Sequence, residues 1–279
     1  MSRPTSRHAP PALLVEGAVR GWHILFLYVL IFVSMIVASG KLTAHMAPEI
    51  RISWQLLLLQ AMSASLVAIV TLAVPELRRS LPALYARARA GLDAADVALF
   101  IAVMVAWTFG AHRFLVLLPL LRWDPGLFGF LGFSDHFTPD GGASALFVLL
   151  ATVFVAPVAE ELLFRGYLLN LWMRRWGTWT GIVLSSLVFG LAHFQFAVFA
   201  TVAGVFFALV YLRFGSLWPG TLLHALFNVI GGSFGIAPYF LQKSRAEALS
   251  LSSWIPEMVL TIAFVPLLYL FWRRFRPTT

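Results

Sequence analysis

The sequence predicts an all-α, polytopic membrane bundle of about eight transmembrane helices, and three observations carry that prediction. The 279-residue chain is 60% hydrophobic and only 11% charged, whereas soluble domains are about 25% charged. Eight apolar runs approach the roughly 20 residues that a spanning helix needs. The lysines and arginines of the connecting segments alternate between a rich and a poor side, as eight spans with both termini cytoplasmic require.

The first span is Trp22–Ala38. It exceeds the roughly 7–15 apolar residues of a signal sequence, so a membrane helix is the first reading, although the small residues Ala38, Ser39 and Gly40 also suit a cleavage site. The second and third spans are Ile52–Val74 and Val97–Leu118. Between them, Leu77–Ala95 mixes four leucines with four arginines and reads as a helix in the cytoplasmic interface or as a solvated basic loop. The segment Leu121–Gly142, with Trp123 and His136, is expected at the opposite interface, with a substrate gate as the second reading. The fourth span runs from Ser144 to Val158 and on through Glu160 and Glu161. Trp179–His193, Phe196–Phe214, Trp218–Gly231 and Ile255–Trp272 complete the set. With no internal repeat and no linker, residues 1–279 form a single membrane domain.

The rich side holds Arg3, Arg7 and Arg20, then Arg78, Arg79, Arg87 and Arg89, then Arg174 and Arg175, Arg213, and finally Arg273, Arg274 and Arg276. The poor side holds Lys41, Arg51, Arg113, Arg122, Lys243 and Arg245. The net charge of +8 therefore belongs to loops facing anionic lipid, and no nucleic-acid partner is expected. With no cysteine in the chain, disulfides, thiolate nucleophiles and Cys-based zinc sites are excluded.

Glu160 and Glu161 lie well inside an apolar run. A charged side chain at the bilayer centre costs about 2.5–3.5 kcal/mol on insertion scales, and such a residue is a functional candidate by default. Residues four apart share a helix face, so Arg165 is placed to neutralise Glu161 while Glu160, rotated about 100° away, stays available. Pro157, one turn earlier, lacks an N–H and is expected to kink the helix near the pair. Phe189 and His193 share a face at the end of the fifth span, and Gly190 permits close helix approach. His224 and Asn228 project side by side from the seventh. Each motif alone has a structural reading: a salt bridge with a spare protonated glutamate, an interfacial histidine, an interhelical hydrogen-bond pair. Together they supply a base, an orienting partner and donors for an oxyanion, which is the equipment for hydrolysis of an acyl bond by activated water. No His-Glu-x-x-His, Gly-x-Ser-x-Gly, P-loop or dinucleotide motif competes.

Glu160-Glu161-x-x-x-Arg165, Phe189-x-x-x-His193 and His224-x-x-x-Asn228, in this order, resemble the type II CAAX prenyl endopeptidase family, also called the CPBP or ABI family of intramembrane proteases. The resemblance covers about residues 144–232, and the first three spans match only in hydropathy. It implies an eight-helix bundle with a cavity open to the cytoplasm and a peptide bond cut near the C-terminus of a membrane-associated or lipidated protein. It assigns Glu160 as the base that activates water, oriented with His193, with His224 and Asn228 as oxyanion donors and Glu161 and Arg165 as the supporting pair. No cofactor is expected; the alternative is a zinc ion held by Glu160, His193 and His224. The Ala-, Leu- and Arg-rich composition suggests a bacterial cytoplasmic membrane. There the family's relatives serve bacteriocin immunity, peptide maturation or cutting of sorting tails. Two non-peptidase readings remain, a membrane scaffold or immunity protein using the polar cluster for packing, and a transporter using the acids as a proton path. At about 1.5 Å per residue, His193 lies some 21 Å from the cytoplasmic end of its span and His224 only about 9 Å.

Overall fold

The computed structural model describes residues 37–38, 40–45, 48–86, 88, 91–125, 150–193, 196–231 and 245–277. The first predicted span, apart from its last two residues, lies outside them, as do the amino-terminal tail and most of the Leu121–Gly142 segment. All regular structure among the described residues is helical, with no strand.

Helix α1 (Pro48–Ala73) meets α2 (Pro75–Leu84) at a bend of 106°. The cause is local. Pro75 opens α2, where its missing N–H costs nothing, and it forces Val74 into the extended region (φ −96°, ψ 107°). α2 is the amphipathic helix that Leu77–Ala95 suggested: Leu77, Ser80 and Leu84 are buried while Arg78 and Arg79 are exposed. α3 (Ala94–Trp123) starts on a reciprocal cap. The Asp96 N–H donates to Asp93 Oδ1 at 2.7 Å, and the Asp93 N–H donates back to Asp96 Oδ2 at 3.4 Å.

α4 (151–176) is built from four stretches run end to end. Ala151–Val155 and Glu161–Leu169 have wide i→i+5 turns, and Ala156–Glu160 between them is ordinary α-helix. Widened turns relieve a helix in which a proline has removed a donor, and Pro157 sits between the two. Gly177, at φ 86°, ends α4 and turns the chain into α5 (Thr178–Ala192). α6 (Ala197–Phe214) ends on Gly215 in the left-handed region (φ 63°), whose N–H closes onto Tyr211 O at 2.7 Å. α7 (Leu217–Gly231) follows at once, and α8 (Ile255–Phe275) is the last long helix.

The packing is that of a membrane bundle. α5 and α6 touch through small residues: a Cβ placed on Gly190 would fall 1.9 Å from Thr201 Oγ1, and one on Gly204 3.0 Å from Ser186 Cα. Gly110 of α3 lets Leu260 of α8 approach in the same way. The outer face of α8 is apolar and open, with Val259, Ile262 and Val265 between 56% and 67% exposed, as a lipid-facing helix requires.

The predicted count of eight spans is not reproduced among the described residues. Three helices, α3, α6 and Leu251–Phe275, are long and apolar enough to cross a bilayer, or four if α1 and α2 form one bent span. Part of the reason is coverage, since the first predicted span lies almost wholly outside the described residues, and part is length. α5 and α7 have 15 residues each, about 22 Å against a hydrocarbon core of about 30 Å. The chain is an integral membrane helical protein.

Candidate active site

The two adjacent glutamates occupy different worlds. The Glu161 side chain is fully buried, and its Oε1 lies 3.2 Å from a terminal nitrogen of Arg165, itself 1% exposed. The pairing follows the four-residue spacing. The Arg165 guanidinium also donates to the Gly204 carbonyl at 3.2 Å and lies over the Phe189 ring, 4.4 Å from its centre, with Phe207 at 5.1 Å. A buried charge demands such saturation, since an isolated one is prohibitively costly. Glu160, by contrast, is 27% exposed and lines a cavity of about 320 Å³.

His224, 5% exposed, reaches both acids. Its Nδ1 is 3.0 Å from Glu161 Oε1, and its Nε2 is 3.7 Å from Glu160 Oε2. Its ring stacks on Phe207 at 4.4 Å and meets the edge of Phe189 at 6.2 Å. His193 caps the end of α5. Its Nδ1 lies 2.7 Å from the Phe189 carbonyl, and its ring is 4.5 Å from that of Phe189. As the Nδ1–H tautomer it donates there and keeps Nε2 as an acceptor. Asn228 donates from Nδ2 to the Thr152 carbonyl at 2.9 Å, tying α7 to the start of α4.

Glu160, His193, His224 and Asn228 thus line one cavity, roofed by Phe196, Phe199 and Phe227. Among the described residues no hydrogen bond or ion pair joins Glu160 to His193; the imidazole nearest to Glu160 is His224. Phe189 touches both rings and so joins the two histidines across α5 and α7. The cavity also takes Gln60, His112 and Arg113 from α1 and α3. The sequence carried a signal for them, since each is a polar side chain inside a run read as apolar. Gln60 donates to Thr152 Oγ1 at 2.9 Å, beside the Asn228 acceptor. Nothing in the sequence marked the carbonyls of Gly204 and Thr152 or the stacking face of Phe207. Among the described residues no group of three His, Asp or Glu side chains is placed to hold a metal ion.

An all-helical membrane protein with a polar cavity sealed against an ion pair is the class that these features define. Residues 142–230 match the family model described as type II CAAX prenyl endopeptidase Rce1-like, so the likeness carried by the three motifs holds over the stretch that bears them. A protein of Escherichia coli described as an uncharacterized 24.3 kDa protein is 34% identical over 110 residues, covering 37% of this chain and 49% of the relative. The chain thus spans about half the length of that curated relative. No solved structure matches.

Proposed function

We propose that the protein is an intramembrane endopeptidase in which Glu160 activates a water to hydrolyse a peptide bond of a membrane-associated or lipidated substrate, near its C-terminus. One observation carries the reading: of two adjacent glutamates, one is sealed in an ion pair and the other opens into a cavity that both histidines and the asparagine also line. Glu160 takes a proton from water as the water oxygen attacks the scissile carbonyl, and returns that proton to the departing amine as the C–N bond breaks and the tetrahedral intermediate collapses to the acid. His193, held through Nδ1 by the Phe189 carbonyl, offers Nε2 to accept a hydrogen bond from that water and orient it. The Asn228 amide has two N–H groups and spends one on Thr152, so the second can reach the oxyanion. His224, protonated at Nε2, supplies the other donor. Each such donor is worth about 10²–10³-fold in rate in known sites. Glu161 holds His224 by Nδ1, and Arg165 offsets the charge of Glu161.

The test is proteomics of C-terminal peptides in cells carrying the wild-type or the Glu160→Gln protein. Peptides that vanish with Glu160→Gln, while the variant accumulates in the membrane, support the reading; an active Glu160→Gln protein refutes it. A protein in which motif alanines weaken folding or partner binding and no product ever forms is the scaffold or immunity alternative.

A further inference from the structure

We infer that His112 is a substrate-binding residue of the cavity, one that exchanges hydrogen bonds with a peptide group of the bound chain. That the bound chain is then cut rests on the peptidase reading; that a peptide group is held at His112 does not.

The middle of α3, Ala106–Leu117, is wound in wide i→i+5 turns. Such turns bring residues four and five apart onto one face, so Thr108, His112 and Leu117 line the cavity together, with Arg113 beside them. In an ordinary α-helix, at about 3.6 residues per turn, Thr108 and Leu117 would stand on opposite sides. His112 is 6% exposed. Its ring packs against those of Trp107 and Phe199, with centres 5.7 Å away in each case. Trp107 is itself fixed, since its Nε1–H donates to the Phe199 carbonyl at 3.2 Å. Aromatic contacts from α3 and α6 therefore hold the imidazole in one place.

What the ring lacks is a hydrogen bond. Among the described residues neither of its nitrogens has a partner. The polar groups around it are spent: Gln60 donates to Thr152 at 2.9 Å, Thr108 donates to the Met104 carbonyl at 2.7 Å, and Arg113 pairs with Glu257 at 3.4 Å. A buried polar group without a partner costs free energy that an apolar ring of the same shape does not, and a ligand that supplies the partner offsets that cost. The chemistry of the ligand follows from the surroundings. Arg113 is balanced by Glu257, so this wall calls for no further anion. Phe109, Phe196, Phe199 and Phe227 line the same cavity, so a peptide group that enters it leaves water behind and needs a partner. A neutral imidazole offers one N–H donor and one acceptor nitrogen, the complement of the carbonyl and N–H of a peptide group. Glu160 and Asn228 open on the same space, so a chain held by His112 lies alongside the carboxylate and the amide.

The probe is acetyl-phenylalanine N-methylamide, in which two peptide groups flank one aromatic side chain. It is titrated into the full-length protein in detergent micelles, with isotope-labelled histidine rings read by NMR. The expected result is that the signals of His112 and of His193, which lines the same cavity, shift together and saturate, while exposed His45 does not move. His112→Phe keeps the ring contacts and removes both nitrogens. Read through His193, its affinity for the probe should fall about 3–10-fold, the worth of one hydrogen bond, and its thermal midpoint should be no lower than that of the wild type. His112→Gln, whose amide again offers a donor and an acceptor, should bind the probe more tightly than His112→Phe. The inference is overturned by a His112 signal that the probe leaves in place, by equal affinities of the wild type and His112→Phe, or by a His112→Gln protein that binds no better than His112→Phe. A His112→Phe midpoint well below that of the wild type also overturns it, since the residue would then be structural. The two readings fail separately. Unchanged C-terminal peptides with Glu160→Gln remove the peptidase but leave the peptide-binding residue standing, whereas an unmoved His112 signal removes that residue and leaves the peptidase.

Discussion

His224 sits between the adjacent glutamates, with Nδ1 3.0 Å from Glu161 Oε1 and Nε2 3.7 Å from Glu160 Oε2. Side chains next to each other on a helix do not face each other, so only a group from another helix can couple them. α7 supplies it, and Gly220, one turn earlier on that helix, lets it come close: a Cβ there would lie 3.3 Å from Glu161 Oε2. The arrangement links a sealed charge pair to an open carboxylate through one imidazole. A carboxylate that fixes the orientation of a histidine is a recurring device of hydrolytic sites.

Replacing His224 by Phe separates chemistry from packing. The new ring keeps the stack on Phe207, now 4.4 Å from the imidazole, but has no nitrogen for either glutamate. The expected outcome is a protein that accumulates, with a midpoint lowered by the loss of about 1–3 kcal/mol from the buried hydrogen bond to Glu161, and with cleavage reduced about 10²–10³-fold, the worth of a lost oxyanion donor. Cleavage at the wild-type rate, measured on the substrate identified by the C-terminal proteomics, would show that His224 only packs.

Arg165→Met tests the sealed pair. It strands a fully buried carboxylate, and removing one partner of a buried pair costs about 3–5 kcal/mol. The thermal midpoint in detergent micelles should fall sharply. Adding Glu161→Gln to Arg165→Met removes the stranded charge and should recover a large part of the loss. A single variant no less stable than the double one would contradict the account.

Much of this site was legible in the sequence because helical spacing is rigid. Glu161 and Arg165 meet as their spacing dictates, and His224 and Asn228 fall in the cavity together. Tertiary partners were not legible, since carbonyls such as Gly204 O and Thr152 O look alike in any sequence. The approach of His224 Nε2 to within 3.7 Å of Glu160 Oε2 was not legible either, since it comes from packing between α4 and α7. In the fold, hydropathy found the apolar runs but not their lengths in three dimensions. Ile52–Val74 reads as one span and is a single helix as far as Ala73, but the 106° bend at Pro75, just past it, was not expected. A proline just past the apolar run was the available signal.

Gly190→Ala tests the close crossing of α5 and α6. The added methyl would fall 1.9 Å from Thr201 Oγ1 and 2.6 Å from the Ala197 carbonyl. Overpacking of this kind costs about 1–3 kcal/mol. The midpoint should drop, and Thr201→Ala should restore part of it by removing the nearer clash while the backbone carbonyl remains. Because His193 follows one turn later on the same helix, cleavage should fall with the crossing. A Gly190→Ala protein as stable and active as wild type would mean that the two helices are not this close.

The arginine-rich end should respond to acid through Asp93. Its carboxyl is held below the usual carboxylate range, first by the Asp96 N–H that caps α3 and then by the Arg274 guanidinium. A carboxylate with a depressed folded pKa stabilises the protein at pH values above its unfolded pKa of about 3.9 and loses that contribution as pH falls through the folded value. Asn at the same position caps a helix about as well as Asp but cannot pair with Arg274. Wild type should therefore unfold at a higher temperature than Asp93→Asn at neutral pH, by a small margin because the side chain is 57% exposed and screened by solvent. The margin should persist to about pH 5 and close as the pH drops below about 3.9. Thermal midpoints of both proteins measured from pH 7 to pH 2.5 read this directly. A margin that widens in acid would reverse the sign of the argument and place the stabilising charge elsewhere.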